Sequence, residues 1–68
     1  MRYKDEQALL LSVLQANPYF GDNVEHLEHI EPAIKNDEQI FEVTYSGPLG
    51  SDTVKVTMLD VLLHIANQ

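Results

Sequence analysis

The last apolar run of the chain, residues 57–67, constrains the fold more than any other segment. It reads TMLDVLLHIAN, and only Asp60, His64 and Asn67 interrupt its apolar side chains. Their i, i+4, i+7 spacing puts these three residues on one narrow stripe of a helix. A helix that is apolar around most of its circumference has to be largely buried. The run therefore predicts a C-terminal helix at the centre of the core, with Thr57 as its N-cap and Asp60 at the capping-box position.

The length of the chain limits how this helix can be covered. The 68 residues predict one small domain spanning residues 1–68, and a domain of about 60 residues buries only roughly 60% of its unfolded surface. The sequence has no cysteine, which excludes disulfides and thiolate metal sites. We expect the helix either to be sandwiched between the first helix and the sheet or to form part of a dimer interface through Leu59, Leu63 and Ala66.

Residues 4–16 have the pattern of an amphipathic helix. Asp5 lies in its first turn, where a carboxylate complements the helix dipole. Pro18 ends the helix, because the residue before a proline disfavours α geometry. The apolar stripe of this helix repeats at i, i+3 and i+4 and consists of Leu9, Leu10, Val13 and Leu14.

The segment 22–31, DNVEHLEHIE, has a period of three. Its aliphatic residues Val24, Leu27 and Ile30 recur at every third position, between acidic residues and histidines. Residues at i and i+3 share a face of a helix or of a 3₁₀ segment, whereas in a regular strand they point to opposite faces. The pattern therefore predicts a short acidic helix with Asp22 as its N-cap, ended by the proline that follows it.

Two segments in the second half of the chain alternate in the way that half-buried strands do. Residues 39–46 place Phe41, Val43 and Tyr45 on one face. Residues 53–58 form the partner strand of an antiparallel sheet. The inward residues of this second strand are Val54, Val56 and Met58, while Lys55 on its outer face can pair with Glu42 across the strands.

The connections complete the predicted architecture. Residues 47–52 are predicted to be a loop, too long for a two-residue hairpin. Residues 33–35 are a candidate short edge strand, and Asn36 and Asp37 are typical turn residues. The expected fold is α+β: an N-terminal helix, a short acidic helix, an antiparallel sheet of two or three strands, and a C-terminal helix packed on the sheet.

The net charge of the chain limits the classes of partner that it is expected to bind. The chain has a net charge of −7, from eleven acidic residues against four basic ones. Contacts to phosphates need clustered Lys and Arg, so the composition argues against direct binding of nucleic acid, and it equally disfavours an anionic membrane surface. The N-terminal residues lack a signal-peptide pattern and no run approaches the roughly 20 apolar residues that span a bilayer, which predicts a cytoplasmic protein.

The acidic residues concentrate between positions 22 and 52, where Lys35 is the only Lys or Arg. On a helix, carboxylates one turn apart, about 5 Å, approximate a row of phosphates. This predicts a small interaction protein, a regulator or inhibitor that mimics nucleic acid and presents an acidic face to a basic, nucleic-acid-binding protein. The residues expected to contact that partner are Asp22, Glu25, Glu28, Glu31, Asp37, Glu38 and Glu42.

Two alternatives belong to other functional classes. His26 and His29 are candidate metal ligands, because histidines three residues apart share a face of a helix and Glu25 or Glu28 can add an oxygen ligand. The sequence contains no HExxH motif and no evident third histidine ligand, so no cofactor is predicted. The other alternative is a homo-oligomeric domain whose assembly is its main property.

An enzymatic role has less support in the sequence. Asp60 and His64 lie one helical turn apart, and an Asp–His pair can orient a general base. The nucleophile would have to be Ser12, Ser46 or Ser51, and none of these serines lies in a G-x-S-x-G motif. The sequence therefore predicts a binding module and not an enzyme.

Overall fold

The computed structural model describes residues 5–67, which form two α-helices and a three-stranded antiparallel sheet. The strands lie in the order β1–β2–β3, so β1 and β3 are the two edges of the sheet. This arrangement confirms the predicted α+β class. The elements in chain order are α1 (Glu6–Gln15), a 3₁₀ turn (Gly21–Asn23), β1 (His26–Lys35), β2 (Glu38–Gly47), β3 (Gly50–Thr57) and α2 (Met58–Ala66).

Helix α1 agrees with the prediction for the first helix. Asp5 is its N-cap, and the side-chain oxygen of Asp5 accepts the N–H of Ala8 at 2.9 Å. Leu10 and Leu14 are buried, so the predicted apolar stripe is the face that packs into the core. Lys4, the first residue of the predicted helix, lies outside the described residues.

The segment predicted as a short acidic helix is a strand instead. The 3₁₀ turn and β1 replace a helix over 22–31, so that prediction is wrong. The period of three results from a β-bulge at Glu28, where the register with β2 shifts between Leu27 and His29. One extra residue reverses the alternation of faces. Leu27 and Ile30 therefore both pack against the core, although they are three residues apart.

Pro32 continues this strand and does not end a helix. It pairs in register with Phe41 of β2, and it is tolerated because β1 is an edge strand. Asn36 and Asp37 form the two-residue turn to β2, and their φ values are 51° and 64°. A type I′ turn requires positive φ at both central positions. The predicted turn and the predicted extended structure over 33–35 are confirmed.

Strand β2 has the predicted two faces. Phe41, Val43 and Tyr45 lie on the inner face, where Val43 and Tyr45 are buried and Phe41 packs against them. Ile40 lies on the outer face, as predicted, yet it is buried as well. In register it lies between Ala33 of β1 and a threonine of β3, which shield it from both sides.

Two details predicted for β3 are wrong. The loop predicted over 47–52 is a two-residue connection, because strand pairing continues to Gly47 and Gly50. Met58 does not end the strand with an inward side chain; it is the first residue of α2 and is exposed. Strand β3 therefore ends one residue earlier than predicted, at the predicted N-cap Thr57.

The core lies between the inner face of the sheet and the two helices. Val43 is at its centre, opposite Ile30 of β1 and Val54 of β3 in register. Apart from Ile40 and the neighbouring Ala33, the outer face of the sheet is polar, and there the hydroxyls of Thr44 and Thr53 form a hydrogen bond of 2.8 Å. The buried residues of the core are Leu10, Leu14, Val24, Val43, Tyr45, Val56 and Val61.

Helix α2 has the predicted caps but not the predicted burial. The Thr57 hydroxyl accepts the N–H of Asp60 at 3.1 Å, and the Asp60 carboxylate accepts the N–H of Thr57 at 3.0 Å, which completes a capping box. Val61 is the only residue of α2 that is buried. Helix α1 and the sheet cover one side of α2, and no other element among residues 5–67 covers the opposite side. The prediction of a largely buried helix is therefore wrong.

Candidate functional site

The predicted acidic contact residues follow β1 and the turn after it. We call this set the acidic band. Six of its side chains are exposed, and the seventh, on β2, is half-buried. The band begins in the 3₁₀ turn, runs along the edge strand and continues into the start of β2. Its members are Asp22, Glu25, Glu28, Glu31, Asp37, Glu38 and Glu42.

The spacing within the acidic band differs from the expected helical row. Glu28 and Glu31 lie on an extended strand, where three residues span about 10 Å, compared with about 5 Å for one helical turn. The argument that these carboxylates reproduce the spacing of phosphates through helical geometry is therefore wrong. The predicted acidic surface is nevertheless present, as an exposed edge of the sheet that carries carboxylates.

Glu42 contributes least to the net negative charge of the acidic band. Its carboxylate is 3.9 Å from the Nζ of Lys35 and, as predicted, Glu42 lies opposite Lys55 in the register of β2 and β3. The two lysines also interact with each other. A hydrogen bond and charge repulsion from Lys35 lower the pKa of Lys55. Two cations thus offset Glu42, and the net negative charge of the band comes from its other members.

A cleft of about 560 Å³ adjoins the band at Asp22. Tyr19, the most exposed of its aromatic residues at 94%, and Leu49, at 88%, form its rim. The cleft combines apolar and aromatic surface with one carboxylate. Its lining residues are Tyr19, Phe20, Asp22, Asn23, Tyr45, Pro48 and Leu49.

Local contacts hold the walls of this cleft in place. Phe20 stacks on Tyr45 with ring centroids 5.4 Å apart. The side chain of Asn17 accepts the N–H groups of Tyr19 and Phe20, at 2.8 and 3.2 Å. The Asn23 side chain accepts the N–H of Leu49 at 2.6 Å, which ties the β2–β3 connection to the 3₁₀ turn. The cleft is therefore assembled from two separate segments of the chain, residues 19–23 and 45–49.

Sequence reasoning missed the cleft. The sequence feature that could have indicated one wall of the cleft is the aromatic pair Tyr19–Phe20, directly after a helix-ending proline. The other wall depends on the two-residue β2–β3 connection, which places Pro48 and Leu49 beside the 3₁₀ turn. Because that connection was predicted as a longer loop, the second wall had no predicted position.

The outer side of α2 is a second exposed surface, which we call the α2 patch. The three residues predicted to form a dimer interface lie on it: Leu59 and Leu63 are 63% and 52% exposed, and Ala66 is exposed as well. Leu62 between them is 58% exposed. Met58 and Ile65 border the patch and are also exposed. Scattered exposed leucines are normal, but a contiguous group on one helix indicates a contact surface.

Ser12 and His64 form a hydrogen bond that joins the two helices. The hydroxyl of Ser12 is 2.8 Å from the Nε2 of His64, and the contact is partly buried. Ser12 therefore faces α2. The carboxylate of Asp60, one turn before His64, belongs to the capping box of α2. The third residue of the sequence pattern, Asn67, closes the same helix, where its N–H bonds to carbonyls of the last turn.

Replacing Ser12 by alanine is expected to lower the free energy of unfolding by about 0.5–1.5 kcal/mol, the usual contribution of one intramolecular hydrogen bond. The loss arises because His64 keeps its position while one of its partners is removed. Urea unfolding followed by circular dichroism measures the change. Gln7→Ala, at an exposed position of α1, is the matched control. Equal midpoints for the two variants would contradict a stabilising role for the bond.

His26 and His29 do not lie on a helix. They belong to β1, where they pair in register with Ser46 and Thr44 of β2. The Nε2 of His29 is 3.5 Å from a carboxylate oxygen of Glu31, and both side chains are about two-thirds exposed. Within residues 5–67, no group of three or more His, Cys, Asp or Glu side chains is placed to hold a metal ion.

Comparison with known proteins adds no relative. No family model, no curated protein and no solved structure matches this chain. In the part of the chain that the structure describes, no helix is long and apolar enough to cross a membrane. Function therefore has to be inferred from the surfaces described above.

Proposed function

We propose that this protein is a small protein-interaction module whose acidic band and adjoining cleft bind a basic protein. The observation that carries the proposal is the cleft at Asp22, because it sets aromatic and apolar surface directly beside the acidic edge. An acidic surface attracts many cations, but it does not position one. A cleft next to it can hold the side chain of a particular residue.

The chemistry of the cleft suits an arginine or a lysine. Both side chains have an apolar stem that lies along apolar surface and a charged head that remains in water or on a carboxylate. Leu49 and Pro48 offer contact for the stem, and Tyr19 offers a ring face to the cation. The Asp22 carboxylate then accepts hydrogen bonds from the charged head.

The acidic band extends the surface beyond one side chain. Glu25 lies exposed just before β1, and Glu28 and Glu31 lie exposed along this strand, which leads away from the cleft. A basic patch is the electrostatic mark of a nucleic-acid-binding domain, so a protein of that class is the partner we propose. Occupying its basic patch would make this protein a regulator or inhibitor of nucleic-acid binding, through charge and the cleft and not through phosphate-like spacing.

An arginine-rich synthetic peptide, labelled for fluorescence anisotropy, tests the proposal. Binding is expected at low ionic strength and should weaken steeply as the Debye length falls from about 30 Å at 0.01 M salt to about 8 Å at 0.15 M. Affinity that does not change with salt would contradict an electrostatic contact. An absence of binding at low salt would overturn the proposal.

Charge-matched variants separate a specific surface from net charge. Glu25→Gln/Glu31→Gln removes two charges from the band, and Glu6→Gln/Asp52→Asn removes two exposed charges outside it. The first pair is expected to weaken peptide binding about twofold to thirtyfold, since exposed ion pairs contribute about 0.2–1 kcal/mol each. The second pair should have a smaller effect. Equal weakening by both pairs would mean that net charge alone attracts the peptide.

The cleft is tested by Tyr19→Ser against Ile34→Ser. Both replaced side chains are exposed and apolar, but Ile34 lies at the opposite end of β1. Loss of the ring face is expected to weaken peptide binding by about twofold to fivefold, as an exposed cation–π contact contributes about 0.5–1 kcal/mol. The Ile34 variant should bind as the parent does. If both variants bind equally well, the cleft is not part of the contact.

A further inference from the structure

We propose that a second copy of this chain covers the α2 patch, with the two α2 helices packed antiparallel about a twofold axis. The proposal is independent of the proposed function, because it concerns a different surface and a different partner. The observation behind it is that α2 carries many apolar side chains although most of the helix is exposed. Helix α2 has one buried residue among nine.

The exposed residues of α2 form a single ridge. At about 3.6 residues per turn, Leu59, Leu62, Leu63 and Ala66 lie within an arc of about 100°. Val61 points to the opposite side and into the core. The ridge therefore has the i, i+3, i+4, i+7 spacing with which one helix packs against another.

The ridge presents enough apolar surface for a weak dimer. Its four members together with Met58 and Ile65 expose on the order of 400 Å² per copy, a size that is often functional on a monomer. Burying this area on both copies removes about 800 Å² in total, which is less than the roughly 1,200 Å² of stable specific interfaces and is typical of weak contacts, so we expect a dissociation constant of roughly 10 µM to 1 mM. The dimer should thus be reversible.

Two depressions beside the ridge can receive side chains from the second copy. One, of about 340 Å³, is lined by Met58 and Leu59 together with residues at the start of β2. The other, of about 510 Å³, lies between the two helices and β3 and has Leu63 in its wall. A ridge with a depression on each side can pack against a second copy of itself, with the ridge of each copy beside that of the other.

The lack of charged side chains on the α2 patch favours a second copy of this chain over the basic partner proposed for the acidic band. The only charged residue on the outer turns of α2 is Asp60, and its carboxylate is bound to the N–H of Thr57. The side chains of the patch itself carry no charge, and Glu38 lies only at its border beside Leu59, so most of the patch offers nothing to neutralise an arginine or a lysine. Two copies, each with a net charge of −7, repel each other wherever their carboxylates meet. The α2 patch is an uncharged surface on which they can approach.

The antiparallel arrangement follows from the ends of the helix. Glu38 lines the depression beside Leu59, and Asp60 lies in the first turn of α2, so the N-terminal end of the helix is the acidic one. Parallel packing would bring these carboxylates together, whereas antiparallel packing separates them and also opposes the helix dipoles. It places the large Leu59 of one copy against the small Ala66 of the other.

Sedimentation equilibrium of the full chain over roughly 10 µM to 1 mM protein tests the proposal in the range expected for a small interface. The parent is expected to approach twice its mass of 7.7 kDa at the upper concentrations. Leu59→Gln/Leu63→Gln should raise the dissociation constant at least about tenfold, since both side chains are in the ridge. Gln keeps a high helix propensity, so this variant should stay folded.

Leu49→Gln and Ile34→Gln are the matched controls, because both remove an exposed apolar side chain elsewhere on the surface. They should dimerise as the parent does. Higher salt is expected to tighten the dimer by screening repulsion between acidic copies, which is opposite to its effect on the arginine-rich peptide. A parent that stays monomeric at the highest concentration, or a dimer that Leu59→Gln/Leu63→Gln leaves intact, would overturn the proposal.

Single-cysteine variants report the orientation, because the chain has no cysteine of its own. Leu59→Cys and Ala66→Cys, mixed in equal amounts under mild oxidation, are expected to form the mixed disulfide faster than either self-disulfide. Mass spectrometry distinguishes the three products. Faster self-disulfides at both positions would overturn the antiparallel arrangement, and crosslinking no faster than that of Leu49→Cys would overturn the contact itself.

Discussion

Replacing Leu10 by alanine is expected to remove most of the stability of this protein. Leu10 is 1% exposed and belongs to the core cluster between α1 and the sheet. A buried Leu→Ala substitution costs about 2–5 kcal/mol, because it loses transfer free energy and leaves a cavity. A domain of 68 residues has a total stability of about 3–10 kcal/mol. The variant should therefore be partly or wholly unfolded at room temperature.

Leu49→Ala is the control for this prediction. It is the same chemical change at a side chain that is 88% exposed, and it should alter the free energy of unfolding by no more than about 0.5 kcal/mol. Urea denaturation followed by far-ultraviolet circular dichroism measures both variants. A Leu10 variant as stable as the Leu49 variant would show that α1 does not contribute to the core as described.

Replacing Gly47 by alanine is expected to destabilise the fold by about 3 kcal/mol or more, at the upper end of overpacking effects. A Cβ at this position would lie 1.7 Å from the carbonyl oxygen of Asn23 and 2.5 Å from its carbonyl carbon. Both are backbone atoms, so no side-chain rotation can relieve the contact. The 3₁₀ turn would have to move away from β2, which would disrupt the hydrogen bonds from Leu49 to Asn23 and from Glu25 to Ser46.

Gly50→Ala separates this steric effect from backbone strain. A Cβ at Gly50 meets no atom within 4 Å, but the φ of Gly50 is 109°, which is unfavourable for alanine. Strain of this kind costs about 1–3 kcal/mol. The Gly47 variant should be the less stable of the two, and amide exchange at Glu25 and Leu49 should accelerate only in that variant. Similar exchange in both would contradict the close approach of the 3₁₀ turn to β2.

The predictions that held depend on signals from residues close together in sequence. The capping box of α2 needs only Thr57 and Asp60, three residues apart. The alternation of Phe41, Val43 and Tyr45 identifies β2 and its inner face. Asn36 and Asp37 both accept positive φ more readily than most residues, so their turn is a local property as well.

The acidic segment shows where periodicity misleads. Leu27 and Ile30 repeat with the spacing of a helix, yet the bulge at Glu28 produces the same spacing in a strand. A bulge depends on how the neighbouring strand pairs, and β2 comes later in the chain. The change from helix to strand also altered the site, because it moved the carboxylates of the acidic band from about 5 Å to about 10 Å apart.

The candidate surfaces were predictable to different degrees. The residues of the acidic band could be listed from charge alone, and all but Glu42 are exposed. The three residues named for a dimer interface, Leu59, Leu63 and Ala66, are exposed on α2. The cleft beside Asp22 could not be predicted, because its walls come from segments about 25 residues apart that meet only in the folded chain.

The sequence by itself determined α2 as a capped and strongly apolar helix, since caps and hydrophobic periodicity act over a few residues. The tertiary structure decided which of its apolar side chains are covered. Val61 meets the core, and the side that carries Leu59 and Leu63 faces outward. The physical reason is that burial depends on what other elements can reach a helix, and among the described residues α1 and the sheet reach only one side of α2.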